Sequence, residues 1–158
     1  MQKYIGVNLV MAMPMNRQEY NDYRGWKLPD DENGDDMGQL VENVDGCKPN
    51  DDRHKGYISW SPDEVFEKSY RKTSGLTFGL AVEAAKMGKK VGRSGWNGSG
   101  MFAYIVPARA EETSGYGCLD KPYIYYREYW AIKTAQDDIA TWAPSGSDSL
   151  ADDWMILE

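Results

Sequence analysis

Two stretches of this 158-residue chain carry side chains whose types and spacing could do chemistry. The first is Arg93-Ser94-Gly95-Trp96-Asn97-Gly98-Ser99-Gly100-Met101-Phe102. Its closely spaced glycines allow backbone N–H groups to approach a ligand, and Trp96 offers a broad flat face beside the amide of Asn97. Such a loop can stack a base and grip a phosphate or a ribose. It lacks the GK[ST] ending of a Walker loop and the glycine spacing of a dinucleotide-binding fingerprint. Read more plainly, it is a glycine-rich connection around a buried indole.

The second stretch runs from Trp142 through Pro144, Ser145, Ser147 and Asp148 to Asp152, Asp153 and Trp154. Its hydroxyls and carboxylates suit ribose hydroxyls or base edges. The plainer reading is a short helix capped by Ser145 or Ser147, with Asp148 in its first turn and Trp154 returning to the core. Catalytic equipment is missing. A nucleophilic Ser wants a His or Lys base, and the single His, His54, lies in the other half of the chain. Asp148, Asp152 and Asp153 could serve a hydrolase, but nothing in their spacing singles out an acid and a base. The expectation is a binding protein with no catalytic residue, no metal and no cofactor.

Composition narrows the ligand. The net charge of -7 weighs against a nucleic-acid polymer, whose binding draws on many Lys and Arg contacts to phosphates. A ligand with few charges, enclosed in a pocket, is compatible. The chain has six Trp and eleven Tyr against three Phe; most of these rings should fill the core, leaving some as stacking surfaces. Cys47 and Cys118 lie far apart without CxxC spacing and read as isolated thiols. There is no apolar run long enough to cross a membrane and no signal peptide at the start, so a cytoplasmic protein is expected. The acidic segment over 29–36 reads as a solvated loop, because its spacing does not reproduce an EF-hand. His54 is expected on a surface loop.

The elements that must position these stretches form two halves, with the boundary at Lys72-Thr73-Ser74-Gly75. In the first, Ile5, Val7 and Leu9 alternate as in a strand. Asn16 and Glu19 have capping-box spacing for a helix ending at Arg24-Gly25, with Met15 stapled to Tyr20. Strands are expected over 38–42 and 56–60. Ser61-Pro62-Asp63-Glu64 reads as the start of a helix to about residue 71, with Glu64–Lys68 and Glu67–Arg71 pairs. In the second half a helix over 78–87, ended by Gly88, precedes strands over 90–93, 102–106, 123–126, 129–134 and 139–142. A turn at Gln136-Asp137-Asp138, a short helix over 147–151 and a strand over 154–157 complete it. The fold class is α+β, an antiparallel sheet with a few short helices in each half.

Taken together, the run over 78–91, Arg93-Ser94-Gly95-Trp96-Asn97-Gly98, the strand over 129–134, and Trp142-Ala143-Pro144-Ser145 with Ser147-Asp148 and Leu150-Ala151-Asp152-Asp153-Trp154 resemble the second family of Thoeris anti-defence proteins. These are small phage proteins that act as sponges for immune signalling nucleotides. The resemblance covers residues 76–158, and residues 1–72 resemble a separate small phage-associated domain of no known activity. It implies a homo-oligomer, a dimer or tetramer, that binds cyclic ADP-ribose isomers made by bacterial TIR-domain enzymes in the cytoplasm of the infected host. Some members also take up cyclic dinucleotides such as cyclic GMP-AMP.

By position, Trp96 and Trp142 would stack on the base, and Asn97 with Gly98, Ser99, Gly100, Met101 and Phe102 would meet it along the glycine loop. Pro144, Ser145 and Asp148 would hold hydroxyls or a base edge, beside Tyr123 and Thr134. Arg93, Lys133 and Arg109 are the candidates for positive walls. An insert over 108–121, with Gly115, Tyr116 and Gly117, reads as a surface loop or the rim of a larger pocket. Two other readings stand beside the sponge: an enzyme that destroys such signals, and a protein inhibitor of a host effector.

Overall fold

Local signals and long-range pairing share the work of building the first unit. The computed structural model describes residues 1–3, 6–46, 48–113 and 120–158, and the chain divides into Met1–Arg71 and Lys72–Glu158. In the first unit strand β1 (Val10–Pro14) leads into helix α1 (Arg17–Arg24), followed by β2 (Gly38–Asn43), β3 (Tyr57–Pro62) and helix α2 (Asp63–Ser69). The strands form an antiparallel sheet in the order β1-β2-β3. The predicted capping box is present. The Asn16 side chain accepts from the Glu19 amide, and the Glu19 carboxylate accepts from the Asn16 amide, each at 2.8 Å. Gly25 closes α1 at φ +68°, a conformation glycine adopts without strain. Met15 and Tyr20 share one core cluster with Leu40 and Ile58.

Three expectations for this unit change. The first strand is Val10–Pro14 and not the run carrying Val7 and Leu9. Val7 is exposed, while Met15, directly after the strand, is buried and anchors the register Pro14↔Gln39. Ile5, like Cys47 and Cys118, lies outside the described residues. Next, Ser61 and Pro62 extend β3 instead of opening a helix. They pair with Gln39 and Gly38, and α2 starts at Asp63 without a side-chain cap. Arg71 donates to the Glu67 carbonyl, so its guanidinium closes the helix end. Finally, His54 is partly buried between Tyr23 and Glu42, not loose on a surface loop.

The second unit contains α3 (Phe78–Lys86), β4 (Lys90–Arg93), β5 (Phe102–Val106), β6 (Arg109–Glu112), β7 (Tyr123–Tyr126), β8 (Tyr129–Lys133), β9 (Ile139–Thr141), α4 (Gly146–Ser149) and β10 (Trp154–Leu157). Five strands form an antiparallel sheet in the order β10-β4-β5-β8-β9, and β6 pairs with β7 in a two-stranded ribbon. Both units are therefore α+β. Helix α3 buries Ala81, Ala84 and Ala85; these small side chains bring its backbone close to Val91, Ala103 and Trp154, which complete the core with Leu76. Trp154 is fully buried, and its backbone exchanges hydrogen bonds with Leu76 at 2.8 and 3.1 Å. Asp137 takes a positive φ of 70° at the predicted turn.

The insert is a correction in part. Its opening residues are strand β6, in register Arg109↔Tyr126 to Glu112↔Tyr123, and Thr113 continues the contact through its amide to the Pro122 carbonyl at 3.1 Å. Residues 114–119, which include Gly115, Tyr116 and Gly117, lie outside the described residues.

Candidate functional site

Arg93 ends β4, and the antiparallel register places it opposite Trp154 at the start of β10. That register sets the Arg93 guanidinium against the chain that has just left α4. Its Nε donates to Asp153 Oδ1 at 2.7 Å and its Nη1 to Asp148 Oδ1 at 2.8 Å. Asp153 Oδ2 also accepts from the Gly95 amide at 2.8 Å and the Ser94 hydroxyl at 3.2 Å. Asp148 Oδ1 accepts from the Trp96 indole at 3.2 Å, and its Oδ2 accepts from the Ser145 amide at 2.9 Å and the Ser145 hydroxyl at 2.6 Å. One ion-paired network thus joins the two stretches that the sequence singled out.

The network fixes charge states. Burial pushes the Asp148 carboxyl up, but the Ser145 hydroxyl, Arg93, the Ser145 amide and Trp96 together outweigh it and hold it well below the ordinary carboxylate range. The Arg93 hydrogen bond lowers Asp153, and the two carboxylates raise Arg93 in return. Both acids are acceptors with no proton to give. Gly95 belongs to the same arrangement, because a Cβ there would stand 2.8 Å from Asp153 Oδ2. Its glycine serves an internal carboxylate, with the amide already used.

Around the network lie four indoles. Trp96 meets Trp142 with ring centroids 5.9 Å apart and planes at 78°, and Trp154 at 5.4 Å and 76°. Trp142 also contacts Trp130 at 5.5 Å and 82°. Edge-to-face packing of this kind stabilises a core. It differs from the parallel faces, about 7 Å or twice a van der Waals contact apart, that would hold a base between two rings. Trp96 and Trp142 come together, but against each other.

The remaining candidates divide. Asn97, Ser99 and Gly100 are exposed, while Gly98, Met101, Phe102 and Pro144 are partly buried. Ser145 is the N-cap of α4. Lys133 is paired with Asp137 at 2.8 Å and donates to the Gly100 carbonyl at 3.4 Å. The Thr134 amide donates to the Asp138 carbonyl at 2.9 Å. Arg109 is paired with Glu111 at 2.5 Å and lies over the rings of Tyr126 and Tyr129; Tyr123, half-exposed, is on the same ribbon. Asp153, Ser94 and Trp130 belong to the observed cluster, although the sequence reading left them out of the binding set. Only strand register could have paired Asp153 with Arg93.

A model of the Tad2-like family, described as the Thoeris anti-defense 2-like domain, matches residues 76–157. The chain is also 38% identical over 86 residues to Thoeris anti-defense 2 of Bacillus phage SP01, a stretch that covers 52% of this chain and 94% of that relative. The chain belongs to the Thoeris anti-defense 2-like family. The Tad2-like match begins at Leu76, whose backbone pairs with Trp154, and ends in β10. It therefore encloses α3, the five-stranded sheet and the whole Arg93 network, and leaves residues 1–75 outside. Among the described residues, no helix of this Tad2-like protein is long and apolar enough to cross a membrane, and no group of three or more His, Cys, Asp or Glu side chains could hold a metal ion.

Proposed function

We propose that this protein is a phage anti-defence factor that binds a cyclic nucleotide immune signal and holds it intact. The signal is a glyco-cyclic ADP-ribose isomer made by a TIR-domain enzyme in the cytoplasm of the infected cell, with cyclic dinucleotides as a second ligand class and a homo-oligomer as the working form. The observation that carries this reading is the convergence of the two ligand-type loops on Asp148, inside the unit that matches the Tad2-like family. Exposed Asn97 and Ser99 lie on a loop whose base is held by Arg93, Ser94 and Gly95, so their amide and hydroxyl are presented from a fixed frame. Preorganised polar groups cost less ordering on binding.

Sequestration fits this chemistry better than cleavage. Of the three acids that a hydrolase could use, Asp148 and Asp153 are tied to Arg93 as carboxylates, and a general acid needs a proton near neutral pH. A sponge works by mass action, so its sites must outnumber the signal and bind below the signalling concentration.

The test is to incubate the protein with a cyclic ADP-ribose isomer, remove free ligand, denature, and analyse what is released. Intact signal is the expected result. Altered signal would make the protein an enzyme, and none retained would turn attention to the inhibitor reading. Asn97→Ala should weaken retention about tenfold, the worth of one good hydrogen bond to a charged or strongly polar group, without changing the melting temperature.

A further inference from the structure

The edge-to-face contact of Trp96 with Trp142 leaves the base of a ligand without a slot between them, and the second unit offers another place for it. A cleft of about 270 Å³ is lined by Ala85, Gly88, Lys90, Phe102, Tyr104 and Ile105. Its origin is topological. Strands β4 and β5 pair at Val91↔Ala103, and the chain before Val91 turns away to Gly88, which sits at φ +81°. That turn separates Gly88 and Lys90 from the facing Tyr104 and Ile105. Phe102 and Tyr104, two residues apart on one strand, point to the same side, with ring centroids 5.9 Å apart.

Charge selects the occupant. Lys90 Nζ lies 5.2 Å from the centre of the Phe102 ring and makes no ion pair among the described residues. Two further lysines stand on the same helix end and turn, Lys86, which is paired with Glu83 at 2.9 Å, and Lys89. In a chain of net charge -7, this is a local positive edge on an aromatic-walled cleft. A lysine stem is flexible, so its ammonium can leave the ring for an anion and uncover the ring for stacking. At about 270 Å³ the cleft falls just short of the roughly 300–1,000 Å³ of whole small-molecule sites, so it suits one nucleotide unit of a larger ligand and not a complete dinucleotide.

We infer that this cleft is a binding subsite for a purine nucleoside monophosphate unit, with the base on the Phe102 face, the Tyr104 ring, tilted by 49°, against the base edge, and the phosphate at Lys90. The inference rests on the nucleotide-binding reading above and moves the stacking surface from the paired indoles to β5. Phe102 and Lys90 thereby become the specificity-determining residues of that unit.

Adenosine 5′-monophosphate, adenosine and inorganic phosphate are the probes, each titrated calorimetrically into the full chain and into two variants. Phe102→Leu keeps an apolar filler and removes the π face; Lys90→Met keeps the stem and removes the charge. Wild type should bind the monophosphate more tightly than adenosine or phosphate. Phe102→Leu should weaken the monophosphate and adenosine about tenfold, the scale of one stacked base, while Lys90→Met should weaken the monophosphate about tenfold and leave adenosine unchanged. Equal monophosphate affinity in all three proteins, or none in wild type, overturns the subsite. Retention of the intact cyclic ADP-ribose isomer is measured in parallel. If wild type and both variants retain it equally, the subsite falls and the sponge stands; if wild type retains none while the monophosphate pattern holds, the sponge falls and the subsite stands.

Discussion

In the first unit, the imidazole of His54 lies between Glu42, at 2.9 Å from Nδ1, and Tyr23, at 2.8 Å from Nε2; in the second, the guanidinium of Arg93 lies between Asp153 and Asp148. Both clusters are about equally shielded, with the central side chains 14% and 18% exposed. Both tie a loop to the end of a strand or to a helix. What surrounds them differs. The His54 relay holds its own loop down, since the other Glu42 oxygen accepts from the Lys55 and Gly56 amides at 2.9 Å. The Arg93 network instead joins two loops that leave Asn97, Ser99 and Ser147 exposed, beside a cluster of indoles. A polar cluster is scaffold or site according to what it leaves free around it, and its own chemistry does not decide.

The largest break in this comparison comes from Trp154. It contacts Phe78, Trp96 and Trp142, donates from its indole to the Asp148 carbonyl at 3.0 Å, and is fully buried. Trp154→Ala should cost about 3–5 kcal/mol, enough to unfold the second unit where its stability lies at the low end of the ordinary range of about 5–15 kcal/mol. Near-ultraviolet circular dichroism from the indoles should collapse, while hydrogen exchange of the Leu40 and Ile58 amides in the first unit stays slow. Retained indole signals would show that the aromatic cluster does not hold the Arg93 network.

Asp148→Asn comes next. The substituted amide still fills the space, but its NH₂ must replace either Oδ1, facing the Arg93 and Trp96 donors, or Oδ2, facing the Ser145 amide and hydroxyl, and unmaking charged hydrogen bonds of this kind costs about 2 kcal/mol. The pH dependence has a definite sign. Asp148 and Asp153 are held below their ordinary range in the folded protein, so the stability they contribute is fully present above the unfolded carboxyl pKa of about 4. It is lost as pH falls from there toward the depressed folded values. Urea melts of the second unit between neutral pH and pH 3 should show a steep acid loss in the wild type and a flatter one in Asp148→Asn. Parallel curves would place the acid sensitivity elsewhere.

Sequence made some of this legible, and the dividing line is range. The capping box at Asn16 is readable because a side chain and a backbone three residues apart decide it; the later cap, open between Ser145 and Ser147 in the sequence, is Ser145. Gly25 and the turn at Asp137 follow from similarly local rules. Ser61-Pro62 carried an equally good local signal for a helix start, yet the ladder to Gly38 and Gln39 kept both residues in β3. The first strand was misplaced because alternation alone cannot see the Met15 anchor. In the candidate site, Trp96, Ser145 and Asp148 were identified by type, and their convergence was expected. Their geometry was not readable, since the ring angles depend on Trp130 and Trp154, and the role of Asp153 depends on the register between β4 and β10. The cleft at Lys90 depends on how α3, β4 and β5 come together, which no residue pattern announces.

His54→Gln gives the smallest effect and the sharpest comparison. With Nδ1 donating to Glu42, Nε2 accepts the Tyr23 hydroxyl, so one ring bridges residues from three places in the chain. A glutamine amide can reach one of these partners, not both at ring geometry, and the loss should be about 1 kcal/mol. The Lys55 and Gly56 amides, whose acceptor is then less well fixed, should exchange faster, while Ser94 and Gly95 keep wild-type rates. Unchanged exchange would mean that Glu42 is held by the two amides alone. The decisive arm is ligand retention: if the first-unit relay is scaffold, His54→Gln retains the signal as wild type does. A loss of retention with the Arg93 network intact would make His54 part of the binding apparatus and erase the distinction between the two clusters.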